Sequence, residues 1–203
     1  MKLKVCGMRE TQNVKALSAL KPDYMGFIFW EPSKRYCQEV PKNIPNHIQK
    51  VGVFVDATLE KIQTTISLNN LQAVQLHGEE TPTFCQSLFS QTQVIKAFRI
   101  GPDFDFSSLR DYQPHCHYFL FDTQGPLPGG NGTAFDWRML EKYTLDHPFF
   151  LSGGIGLESV EKIAEIRRSG LPIHALDINS KFELAAAQKD ISEIKLFKEK
   201  LAL

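Results

Sequence analysis

The chain has 203 residues, of which 42% are hydrophobic, and its 23 Lys plus Arg balance its 23 Asp plus Glu for a formal net charge of +0. That apolar share supports a packed core and excludes a disordered chain. The balanced charge argues against a broad nucleic-acid footprint or a polybasic membrane surface, and leaves room for a small positive pocket.

The first predicted element is a short apolar run, Leu3–Cys6, which ends in Cys6 followed at once by Gly7. A structural cysteine would sit inside such a run; one at its C-terminal lip can face a ligand. Arg9, Glu10 and Gln12 follow so closely that no secretory apolar region fits, and no stretch approaches the ~20 residues of a membrane span. The expected location is the cytoplasm. Further β-rich runs follow at Tyr24–Phe29, Val51–Val55, Ala73–Leu76, Val94–Phe98, Tyr118–Phe121, Pro148–Leu151 and His174–Ile178. Between them, helical periodicity marks Asn13–Leu20, Thr58–Leu68 with a cap-like Thr58, Leu157–Arg168, and Ile191–Leu201. Pro41 and Pro45 predict a short or broken helix after the second run.

Eight strands with crossovers between them predict a single-domain (β/α)₈ barrel over residues 1–203, near the lower size limit of that fold. The first turn, Cys6-Gly7-Met8, lacks the glycine-rich pattern of an open dinucleotide-binding sheet. The four cysteines have no CxxC spacing and read as free thiols. His115-Cys116-His117 does not read as a metal site, because neighbours on a strand point to opposite faces.

In this fold the active site collects at the C-terminal strand ends. Those ends carry Cys6, the loop Trp30–Tyr36 with Lys34 and Arg35, Asp56, Gln75 and His77, Arg99, Asp122, Ser152-Gly153-Gly154, and Asp177 through Ser180. A thiol, an imidazole, a guanidinium and two carboxylates at one rim are hard to explain as packing. Gly153 and Gly154 open the seventh loop, where such barrels hold phosphate, and Asn179 and Ser180 add donors in the eighth. The plainer reading is that these glycines only make a tight turn. The segment Gly125–Gly132 has the length of a lid, or is a surface loop without a role.

The stretches KVCG, GFIFWEPSKRY, VGVFVD, AVQLHGEE, FDT with GGNGTAFDW, and LSGGI occur in this order. With that spacing the chain resembles the phosphoribosylanthranilate isomerase family of tryptophan biosynthesis nearly end to end. The resemblance implies a (β/α)₈ barrel with no metal or organic cofactor. It also implies an Amadori rearrangement of N-(5-phosphoribosyl)anthranilate, a small phosphorylated substrate, in a monomer or homodimer. It gives Cys6 the role of general base at ribose C2 and Asp122 that of general acid at the ring oxygen. It places Arg35 near the anthranilate carboxylate, Gly153, Gly154, Asn179 and Ser180 around the phosphate, and His77 and Asp177 close to the substrate.

Lys4, roughly 7 Å from Cys6 on the same face, either favours the thiolate or belongs to an interior ion pair. Two departures from the family pattern stand out. Lys181 occupies a position that is often glycine, costly if it needs φ > 0 and otherwise a cation for the phosphate. Asn131-Gly132-Thr133 lacks a loop lysine. The competing readings are another phosphosugar isomerase, disfavoured because Cys6 stands where a paired-aspartate enzyme would have Asp, and a non-catalytic barrel binding a phosphorylated ligand.

Overall fold

A computed structural model describes residues 1–123 and 136–203. Eight parallel strands close into a barrel: β1 (Lys2–Val5), β2 (Tyr24–Ile28), β3 (Gln49–Phe54), β4 (Ala73–Leu76), β5 (Gln93–Ile100), β6 (Tyr118–Thr123), β7 (Phe149–Leu151) and β8 (Ile173–Ile178). β1 pairs β8 from Lys2 opposite Ala175 to Val5 opposite Ile178, which completes the ring. The segments Gly125–Gly132 and Asn131-Gly132-Thr133 lie outside the described residues.

Strand alternation sorts the side chains. One set points outward and packs under the helices: Leu3, Met25, Phe27, Phe54, Val74, Phe119, Phe121 and Leu176 belong to this larger core. The other set fills the barrel floor with Tyr24, Val51, Ala73, Ile95, Ala97, Leu120, Phe150 and Ala175. Two residues further along several of these strands the same inward column turns polar, from Ala73 to Gln75, from Leu120 to Asp122, and from Ala175 to Asp177. The chemistry is thus raised on an apolar floor at the C-terminal end.

Among the described residues five α-helices cover the outside: α1 (Thr11–Ser18), α2 (Leu59–Asn69), α3 (Pro82–Phe89), α4 (Val160–Ile166) and α5 (Ile191–Leu201). Thr58 caps α2 by accepting from the Lys61 N–H at 3.2 Å, and Asn70 ends it in the left-handed region at φ 49°. Asp190 caps α5 in the same way, accepting from the Glu193 N–H at 3.0 Å. α5 buries Ile194, Phe197 and Leu201, each contributing about 1.5–3 kcal/mol relative to exposure.

The connections are less regular than a full βα repeat. After β2 the chain runs to β3 with no helix, where a short or broken one was expected: Pro41 and Pro45 remove amide donors and clash with the preceding turn. The fifth and sixth connections carry 3₁₀ turns at Phe106–Asp111, Gln113–His115 and Trp137–Lys142. A 3₁₀ turn at Leu157–Ser159 precedes α4, so the seventh loop does not lead straight into a long helix. A small hairpin, β9 (Glu183–Ala185) and β10 (Gln188–Lys189), follows β8. Cys116 lies against Cys85 of α3, whereas His117 stacks on Phe89 and its Nδ1 accepts from the Val94 N–H. Among the described residues no group of three or more His, Cys, Asp or Glu is placed to hold a metal.

Candidate active site

Cys6 continues β1 by one residue, its N–H donating to the Ile178 carbonyl at 2.9 Å, and only 4% of its surface is exposed. Gly26 stands beside it on β2. A Cβ there would lie 2.7 Å from the Cys6 sulfur, so the strand keeps a residue with no side chain where the thiol needs space. Burial pushes the Cys6 thiol up; the Lys4 cation opposes this, Asp177 reinforces it, and Lys189 opposes it again.

The two expectations for Lys4 are both met in part. Its ammonium is wholly buried and donates to Asp177 Oδ2 at 2.8 Å and Gln75 Oε1 at 2.7 Å, so it is an interior ion pair. Its charge still favours a Cys6 thiolate, yet it does not outweigh desolvation because Asp177 shares it. Asp177 is itself pushed up by burial, with Lys4 pulling down.

From Lys4 the contacts run on. Gln75 Nε2 lies 2.7 Å from His77 Nδ1, and His77 Nε2 lies 3.3 Å from Asp122 Oδ2, within ion-pair range but off the hydrogen-bonding line. Asp122 Oδ1 accepts from the Thr123 N–H at 2.8 Å. Gly153 closes on the same carboxylate: a Cβ there would come 3.2 Å from Asp122 Oδ1 and 2.9 Å from the Thr123 nitrogen. Gly153 and Gly154 take φ of +90° and +62°, which L side chains rarely adopt. Among the described residues their amides meet no acceptor, an arrangement suited to an anion.

On the other flank Arg35 forks onto Glu183, with Nε at 2.9 Å from Oε1 and Nη2 at 2.7 Å from Oε2. Lys189 locks that carboxylate at 2.7 Å and also donates to Asn179 Oδ1 at 2.6 Å. Burial brings the Lys189 ammonium down to about 8, with Glu183 resisting. Asn179 is therefore held through its oxygen, leaving its NH₂ as the donor end. Arg35 reaches the rim, but two of its donor nitrogens are already engaged there; among the described residues Nη1 has no acceptor. Sequence reasoning missed Glu183 and Lys189, which sit in the hairpin after β8 without apolar periodicity; their place beyond a barrel strand was the only signal.

Lys181 has no positive φ, so the glycine-like strain is absent, and its ammonium pairs with Glu158 at 3.4 Å. Asp56 turns away to accept from the Glu79 N–H, and Arg99 lies 3.7 Å from Glu79. The structure thus brings together Cys6, His77, Asp122 and Asp177 at the mouth, with Arg35, Gly153, Gly154, Asn179 and Ser180 around it.

A thiol on one wall, a carboxylate on another and a glycine cradle between them, raised on a closed eight-strand barrel, set this chain among the (β/α)₈ enzymes. The family model described as N-(5'phosphoribosyl)anthranilate (PRA) isomerase matches residues 3–200. The chain belongs to that family. The N-(5'-phosphoribosyl)anthranilate isomerase of Parabacteroides distasonis is 42% identical to it, covering 97% of this chain and 91% of its own length. The crystal structure of the Thermus thermophilus phosphoribosyl anthranilate isomerase superposes with a TM-score of 0.87 at 26% identity, covering 100% of this chain and 98% of that one. Another solved phosphoribosyl anthranilate isomerase, in complex with reduced 1-(o-carboxyphenylamino)-1-deoxyribulose 5-phosphate, gives 0.84 at 30% identity, with coverage of 100% and 98%.

Proposed function

We propose that this barrel converts N-(5'-phosphoribosyl)anthranilate to 1-(2-carboxyphenylamino)-1-deoxyribulose 5-phosphate, the third step of tryptophan synthesis from chorismate, with Cys6 as base and Asp122 as acid. Asp122 delivers a proton to the ring oxygen as the C1–O bond breaks and the nitrogen lone pair forms an iminium. The Cys6 thiolate then takes the C2 proton, and the resulting enolamine relaxes to the ketone. Each transfer supplies roughly 10²–10⁴-fold.

The observation that carries this reading is the pairing of two unlike titrating groups, a buried thiol after β1 and a buried carboxylate on β6, on different walls of one mouth. The Lys4 and Lys189 cations favour the thiolate. The Gly153 and Gly154 amides, with the donor ends of Asn179 and Ser180, receive the phosphate, and the remaining Arg35 donor meets the anthranilate carboxylate. His77 and Asp177 line the sugar. Residues 1–203 work as one barrel domain, in the cytoplasm, as monomer or homodimer; a Thermotoga maritima relative is described as dimeric.

The test is to mix purified protein with freshly made N-(5'-phosphoribosyl)anthranilate and follow the loss of its anthranilate fluorescence. A rapid, enzyme-dependent loss supports the reading, and no change at high enzyme concentration removes it.

A further inference from the structure

We propose that Gln75 is a positioning residue that locks His77 as its Nε2–H tautomer, so that the imidazole can donate to Asp122 but cannot take its proton. The inference rests on the reading of Asp122 as the acid. Its starting point is Lys4, whose ammonium has only donors. Lys4 meets one end of the Gln75 amide at 2.7 Å, so that end is the oxygen. An NH₂ placed there would face three N–H groups of a buried cation. The amide orientation, normally ambiguous between oxygen and nitrogen, is therefore fixed by the charge beside it.

The other end of the amide is then the NH₂, and it faces His77 Nδ1 at 2.7 Å. A donor there requires a lone pair on Nδ1. In the neutral ring the proton must sit on Nε2, the nitrogen 3.3 Å from Asp122 Oδ2. All four side chains are buried, so water does not readily supply an alternative partner. Asp177 accepts a second Lys4 hydrogen bond at 2.8 Å and keeps the ammonium in place.

The tautomer decides what His77 can do. With its lone pair on Nε2, the ring would be a base beside a carboxylic acid. A proton passed from the acid to that lone pair would leave Asp122 none for the sugar. With the proton on Nε2 that route is closed, and the same N–H steadies the carboxylate formed once Asp122 has delivered its proton to the sugar. Two hydrogen bonds, Lys4 to Gln75 and Gln75 to His77, thus run from the cation beside Cys6 to the ring whose Nε2 lies 3.3 Å from the acid on β6, and Gln75 is their turning point.

The experiment is long-range ¹H–¹⁵N correlation on uniformly ¹⁵N-labelled protein at pH 8, with the ring signals assigned by their loss in His77→Gln. The parent spectrum is decisive without any folding question: a protonated Nε2 and an unprotonated Nδ1 are expected, and a protonated Nδ1 overturns the proposal. Gln75→Glu supplies the second reading. Its carboxylate accepts at both oxygens, so it satisfies Lys4 but draws a proton onto Nδ1. The expected result is a protonated Nδ1 together with a kcat at least tenfold lower and a KM within about threefold of the parent. Parental kcat, or a lost kcat with the parental ring signature, contradicts the proposal. These outcomes are separable from failure of the acid reading: parental turnover in Asp122→Asn would remove the acid while leaving the tautomer as measured.

Discussion

Lys4 and Lys96 are both buried lysines paired with carboxylates, and they sit on opposite faces of the barrel wall. Lys96, pointing out from β5, gives its protons to the carbonyls of Leu76, Gly78 and Ala97, with Glu80 at 3.2 Å. Glu80 in turn accepts from the Asp56 and Gly78 N–H groups. Every partner is main chain or a carboxylate fastened to it, so the cluster pins the loop after β4. Lys4, pointing in, gives its protons to Gln75 and Asp177. Asp177 Oδ1 is buried and has no hydrogen-bond partner among the described residues. A buried ion pair is therefore weak evidence of function by itself; what distinguishes the two is the face of the strand each lysine is on and whether its partner has polar atoms left over for a ligand.

The comparison can be broken in several ways. The largest effect belongs to Asp122→Asn, which keeps shape but has no acidic proton: turnover should fall about 10²–10⁴-fold, with a melting temperature near the parent's. Undiminished turnover would move the acid elsewhere. Next, Lys4→Met and Lys96→Met each strand a buried carboxylate and should each destabilise by about 3–5 kcal/mol in denaturant unfolding. Turnover per folded molecule should drop at least tenfold only in Lys4→Met; an equal loss in both would erase the distinction. Arg35→Lys gives up the planar fork that serves Glu183 and a carboxylate alike. Its KM should rise about tenfold, about 1.4 kcal/mol of binding, and an unchanged KM would make Arg35 a purely structural partner of Glu183.

The smallest effect lies at the floor, where His174 Nε2 meets the Tyr24 hydroxyl at 2.8 Å. Burial, then the nearby Lys2 charge, brings the His174 ring down to about 4, with Asp23 opposing. The folded protein thus prefers the neutral ring. Its contribution is complete above the ordinary value of about 6.5 and is lost as pH falls towards 4. His174→Gln should flatten the acid side of the stability curve over that window, and a slope equal to the parent's would contradict it.

The strands were legible because period-two apolar runs ended on polar residues, and all eight appear within two residues at each end. The cap at Thr58 was legible because it follows from side-chain chemistry that acts within three residues, and the same chemistry at Asp190 was not singled out. The irregular connections were less legible: nothing local in the second, fifth and sixth segments distinguishes a short helix from 3₁₀ turns or none. At the site, Cys6, His77, Asp122 and Asp177 could be read from strand ends, since alternation alone turns them inward. The grip of Glu183 on Arg35, 148 residues away in the chain, could not, because it depends on barrel closure. The balance at Cys6 was legible only in part: the Lys4 charge follows from its place two residues earlier on the same face, whereas the cost of burial and the Lys189 charge arise only on folding.

The most direct measurement is turnover and melting temperature of Cys6→Ser beside the parent protein, with product binding followed by calorimetry. A hydroxyl fills the same space but ionises far less readily than a thiol. If Cys6 is the base, the variant folds with near-parental stability, binds product, and loses most of its turnover. A Cys6→Ser protein that turns over at the parental rate would show that this thiol only fills the space beside Gly26.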